Sequence, residues 1–180
     1  LNRIPGSTRE AVRKGGLIVF VSMFLSGCFV ADRDKMVADG ISAPPKYRNA
    51  VAIRNVSGDC NISAGGIKPL ICIEKLVSND EIKEGFEKSL AAGGYLATGA
   101  PRYYIDVQVD ELRGPMMGFD MELSAAVTYT IIDGANARPI PIKSTATAQL
   151  TEAYFGATRA KIAAIYALRE NFKAFLATLR

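Results

Sequence analysis

Two stretches of the chain alternate apolar and polar residues almost without a break, and this pattern limits the fold more than any other feature. In the first, Tyr103, Ile105, Val107 and Val109 fall on one side, with Tyr104, Asp106, Gln108 and Asp110 on the other. In the second, Phe119, Met121, Leu123, Ala125, Val127, Tyr129 and Ile131 oppose Asp120, Glu122, Ser124, Ala126, Thr128 and Thr130. A period of two is that of a strand with one buried and one wet face. Both segments therefore belong to a sheet covered on one side, as antiparallel sheets commonly are. Asp133-Gly134 marks a turn. Ile140, Ile142, Ala146, Ala148 and Leu150 then supply the apolar side of a partner strand, and Pro139 and Pro141 place its start on an edge or outside the ladder.

The cover must come from helices, and two segments have the right period. Ser78-Asn79-Asp80-Glu81 is a capping-box sequence, followed by Ile82, Phe86 and Leu90 on one face and by Gly93-Gly94 as a stop. This predicts a helix over about 79 to 92. The closing segment, roughly 152 to 179, carries Phe155, Ile162, Ile165, Phe172, Phe175, Leu176 and Leu179 near helical spacing. Upstream, YRNAVAIRNV (47–56) reads as a first strand ending at Ser57-Gly58-Asp59, and LICI (70–73) as a short edge strand. The order β-(β)-α-β-β-β-α defines an α+β fold over residues 47–180: an antiparallel sheet of three to four strands with two helices packed on one face. With 49% hydrophobic residues, a domain of this length buries a sizeable core.

The segment before residue 28 obeys a different logic. Arg13 and Lys14 precede an apolar run from Leu17 to Leu25, which closes with Ser26, Gly27 and Cys28. A membrane-crossing helix needs about 20 apolar residues, and this run is about half that. A buried strand would share the apolar content, but charges on the N-terminal side alone and small residues at the end are the order of a secretory signal. Residues 29–46, with mixed charge, a glycine and Pro44-Pro45, show no sustained period and read as a flexible tether.

Charge and residue usage narrow the function. The net charge of +4 is set mainly by the leader, since four of the 22 basic residues and one of the 18 acidic ones precede Cys28. The remainder is nearly neutral and has no basic run, which argues against nucleic acid as a partner. The chain holds no histidine, which removes His-based triads, H-E-x-x-H zinc sites and the commonest general base. Cys28, Cys60 and Cys72 form no C-x-x-C pair, and neither a P-loop, G-x-G-x-x-G nor G-x-S-x-G occurs. No cofactor and no metal is implied. Asp106, Asp110, Asp120 and Glu122 could converge as an acid/base pair or cation site, although a solvated sheet face explains them equally. Arg159 and Arg169 stand ten positions apart on the closing helix, either for an acidic partner or for ordinary salt bridges. Arg113, Met116, Met117 and Phe119 cluster at a predicted hairpin tip, where paired methionines offer adaptable apolar surface for a partner.

Leu25-Ser26-Gly27-Cys28 resembles the lipobox of bacterial lipoproteins. That resemblance implies removal of residues 1–27 as a signal peptide, acylation of Cys28 with palmitate-type chains, and residues 28–46 as the lipidated cysteine and tether. In the sorting scheme it implies, Phe29 rather than aspartate after the cysteine directs the protein to the outer membrane, facing the periplasm. Acyl chains at about 0.8 kcal/mol per buried CH₂ anchor firmly. In that oxidising compartment Cys60 and Cys72 are expected to form a disulfide.

GFDMELSAAVTYTIIDG followed by RAKIAAIYALRENFKAFLATL resembles small outer-membrane lipoproteins of Gram-negative alphaproteobacteria, through Asp120, Met121, Tyr129, Asp133, Arg159, Ile162, Ala163, Ala167, Arg169 and Asn171. The element order is similar to that of auxiliary lipoproteins of the lipopolysaccharide translocon and of lipid transport. The resemblance implies a non-catalytic accessory module with an envelope protein or lipid as partner, bound to the membrane through Cys28. The alternative is a carboxylate-based enzyme: members of the group sometimes carry an acyltransferase label, but the chain lacks hexapeptide repeats and a histidine base.

Overall fold

The computed structural model describes residues 33–58, 76–114 and 119–180. Its order is β-α-β-β-β-α: β1 (Val51–Gly58), α1 (Asn79–Ala92), β2 (Tyr103–Arg113), β3 (Met121–Asp133), β4 (Asn136–Ala148) and α2 (Gly156–Ala177). The strands form one four-stranded sheet in chain order, and the fold is α+β as the patterning predicts. The sheet is mixed rather than wholly antiparallel, because β1 pairs with β2 in parallel. The reason is topological: α1 lies between them as a crossover, which returns the chain in its original direction. The stretch expected to hold an edge strand at 70–73 lies outside the described residues.

The alternation holds in detail. Tyr103, Ile105, Val107 and Val109 of β2 are buried, as are Met121, Leu123, Ala125, Val127, Tyr129 and Ile131 of β3. A bulge between Val109 and Glu111 inserts Asp110 into the ladder, so parity reverses and Leu112 turns to the core. Pro139 and Pro141 sit in register opposite Thr130 and Thr128. They are tolerated because β4 is an edge strand, where a missing amide donor on the solvent side costs no ladder bond.

Both helices lie on the buried face, α1 over β1 and α2 over β3 and β4. The Ser78 box forms as read: Ser78 Oγ accepts from the Glu81 amide (3.2 Å), and the Ser78 amide donates to Glu81 Oε2 (2.8 Å). At the centre, Phe86 of α1 meets Tyr129 of β3 and Phe172 and Phe175 of α2 at ring separations of 5.5, 4.8 and 5.8 Å, and Tyr129 stacks on Phe175 at 4.0 Å. Tilted and offset pairs of this kind add about 0.5–1.5 kcal/mol each beyond area burial.

One expectation changes. From Met36 onward, the stretch read as a tether is a strap bound to the domain. A 3₁₀ turn at Arg33–Met36 leads into it, and Met36, Ala38 and Ala43 are buried. The Ala38 amide donates to Ser89 Oγ (2.9 Å) and the Ala43 amide to the Gly93 carbonyl (2.8 Å). Three irregularly spaced apolar residues carry no periodic signal, so sequence pattern could not find the strap. Among the described residues no helix is long and apolar enough to cross a membrane.

Candidate functional site

Among the described residues nothing covers the face of the sheet away from the helices, and exposed polar side chains gather there. Toward the Arg113 end of β2, the small residues Ser124 and Ala126 of β3 form the floor of a groove of about 240 Å³. Its sides are Glu111 and Arg113 on β2 and Lys143 and Thr145 on β4. The register explains the shape, since Arg113, Ser124 and Thr145 stand in one row and Glu111, Ala126 and Lys143 in the next. Ser124 and Thr145 share a 3.1 Å hydrogen bond across the strands. Two cations and one carboxylate around a hydroxyl-bearing floor suit a polar or anionic group, such as an extended polypeptide or a headgroup.

Arg113 is exposed at the lip of this groove, and Phe119 stands free at the other side of the hairpin. Phe119 precedes β3 rather than opening its apolar face, and it is 80% exposed. Between them, Gly114 lets the chain pass close: a Cβ there would stand 2.7 Å from the Glu122 carbonyl oxygen. Met116 and Met117 lie outside the described residues, as do Cys28, Cys60 and Cys72.

The four candidate carboxylates do not form one site. Asp106 is held by the Arg54 guanidinium in a two-pronged ion pair, with Nε at 2.9 Å. Asp110 accepts from Gln108 (3.1 Å) and Thr128 (2.7 Å). Asp120 accepts from the Leu150 amide (3.3 Å), at the opposite end of the sheet from Asp106. Asp106 pairs with Thr130, eight positions along β3 from Glu122, a separation on the order of 25 Å. Among the described residues no three histidine, cysteine, aspartate or glutamate side chains gather as a metal site.

The two arginines of α2 also have structural partners. Arg159 is buried, and its Nη1 donates to the Ala153 and Tyr154 carbonyls at 2.8 and 2.7 Å. It therefore fixes the chain's entry into the helix. Arg169 pairs with Glu170 (3.1 Å) and lies over the Tyr166 ring.

Pattern reading missed an apolar group at this same end. Leu150 and Phe155, read as inward, are 43% and 68% exposed, and Tyr154 is 87% exposed. The Tyr154 and Phe155 rings pack edge to face at 5.7 Å. A signal was available: adjacent aromatics immediately before Gly156 cannot both lie on the inner face of one helix.

No protein-family model and no curated protein matches the chain. Among solved structures, it is similar to a hypothetical protein of Chlamydia trachomatis at 13% identity and TM-score 0.45, over 73% of this chain and 98% of that one. A candidate lipoprotein of Caulobacter crescentus is 14% identical with TM-score 0.41, over 71% and 86% of the two chains. A Xanthomonas campestris protein assigned to the family DUF330 is 9% identical with TM-score 0.42, over 79% and 93%.

Proposed function

We propose that this chain is an envelope lipoprotein, anchored through Cys28 at the periplasmic face of the outer membrane, that works by binding rather than by catalysis. Its domain presents the groove and the Arg113-to-Phe119 hairpin to an envelope protein or lipid. The observation that carries this reading is the open polar face ending in the exposed side chains of Arg113 and Phe119. The helices cover the other face, and among the described residues nothing covers this one. The lipobox-like Leu25-Ser26-Gly27-Cys28 supplies the anchor, and a Cys60–Cys72 disulfide fits the same compartment. The enzyme alternative loses support because its carboxylates do not converge, and Asp106, Asp110 and Asp120 are engaged with neighbours.

Two measurements test it. Mass analysis of the membrane-extracted protein should find an acylated N-terminus at Cys28, and an intact segment 1–27 would overturn the anchor. A photo-crosslinker at Lys143 should trap a defined envelope component, whereas one at Lys83 on the outer side of α1 should not. Met116→Asp with Met117→Asp should leave the domain folded, because changes at a hairpin tip usually cost little, yet reduce the Lys143 adduct several-fold. An undiminished adduct would remove the hairpin from the binding surface.

A further inference from the structure

We infer that Leu150, Tyr154 and Phe155 form a foot that rests in the same bilayer that the lipid on Cys28 enters, so the domain is held in one orientation. This rests on the anchor reading above. Tyr154 and Phe155 expose most of their surface, and Leu150 nearly half. Isolated exposed apolar residues are ordinary, but three large ones within six positions at one end of a domain mark an interaction surface. Aromatic rings with a polar tip, such as Tyr154, are suited to the membrane–water boundary.

The occupant follows from where the described chain begins. Arg33 opens the 3₁₀ turn that Met36 pins into the domain, and a Cβ on Gly85 would stand 2.6 Å from Met36 Sδ. Arg33 is only five positions beyond Cys28, which at full extension span about 17 Å. The strap therefore enters the domain within a short reach of wherever the acyl chains are buried. Its 3₁₀ turn packs against α1 and α2, and α2 is the helix that the foot directly precedes. The Glu152 carboxyl, on the 3₁₀ turn Leu150–Glu152, lies below its usual range through the Tyr166 hydroxyl first and the Gln149 amide second, with the Lys35 charge contributing. The Lys35 charge is thus felt at the turn that carries Leu150.

The foot is itself well supported. Arg159 clamps the Ala153 and Tyr154 carbonyls from within, and the Leu150 amide is tied to Asp120. The protein thus holds its apolar side chains outward on a fixed backbone. With the foot in the bilayer, the groove at the Arg113 end of the open face lies close to the membrane surface, where a lipid or membrane-bound partner would be met.

The chain contains no tryptophan, so one introduced tryptophan reports on its own site. Full-length processed protein carrying Phe155→Trp, or Tyr104→Trp at the far end of β2 as a control, is reconstituted on phosphatidylethanolamine/phosphatidylglycerol vesicles with brominated acyl chains. Quenching at least threefold greater for Phe155→Trp than for Tyr104→Trp is expected. Equal, weak quenching on vesicles that float with the protein overturns the foot and leaves the anchor intact. Failure to float overturns both. A blue shift that grows with protein density, without bromine quenching, shows that a second copy covers the patch and also overturns the inference.

Discussion

The Tyr129 hydroxyl donates a 2.8 Å hydrogen bond to Oδ1 of Asn171, and both side chains are fully buried. The amide nitrogen of Asn171 reaches the carbonyls of Ala125 and Ile142, both at 3.2 Å, and Ser144 Oγ at 3.0 Å. One side chain on α2 thus ties together the two strands beneath it. Burial pushes the Tyr129 hydroxyl well above its usual value, so it remains a donor. Asn171→Ala leaves that donor unpaired and opens a void, and should cost about 2–4 kcal/mol. Tyr129→Phe should cost about 1–2 kcal/mol. Thermal denaturation of the single and double variants should show the double costing less than the sum, because each single change already breaks the shared bond.

Gly85 should resist a change that helices normally welcome. Gly→Ala inside a helix is usually worth about 0.5–1 kcal/mol in favour of alanine. Here the new Cβ would crowd Met36 at Sδ, Cγ and Cβ, at 2.6, 3.0 and 3.2 Å. Displacing only the tip of Met36 is therefore not enough. Gly85→Ala should loosen the strap and speed proteolytic cleavage between residues 36 and 43. In a Met36→Ala background the same change should become neutral or stabilising. Unchanged cleavage in the single variant would show that the strap accommodates the methyl group.

Glu81 should make part of the stability acid-sensitive. Burial raises its carboxyl, but the Ser78 amide, followed by Lys161 at 3.0 Å, outweighs this and leaves the group lowered. A lowered folded value means that the contribution is complete above the ordinary glutamate value of about 4.3. It is lost as pH falls through the lower folded value. Glu81→Gln should therefore destabilise the protein near neutral pH, with the gap from wild type closing below about pH 4. A gap that stays constant from pH 7 to 3 would assign the effect to shape rather than charge.

Cys60 and Cys72 should resist thiol labelling in native protein purified without reductant and become reactive only after reduction. A bridge closing a loop of this length stabilises by roughly 3 kcal/mol in the chain-entropy model. Reduction should lower the unfolding temperature accordingly. Labelling of both cysteines in the native, unreduced protein would exclude the bridge.

The sequence alone determined the elements whose signals are local. The period of two in β2 and β3, the Ser78 box and the spacing along α2 each depend on neighbours within one turn or one strand, so the α+β order and most of the core could be read directly. Tertiary structure decided what depends on distant partners. The parallel seat of β1 follows from its crossover, and the shift of Leu112 to the core follows from the Asp110 bulge. Met36 and Ala38 are buried because Gly85 and Ser89, some fifty positions away, provide the space and the hydrogen bond. Asp106 looked free to do chemistry until the fold brought Arg54 beside it. Phe119, Leu150 and Phe155 shared the apolar character of the core but ended outside it, because strand and helix boundaries left them past the edge of the packed layer. Apolar pattern fixes which residues favour burial, but only the assembled layers determine how much surface is available to bury them.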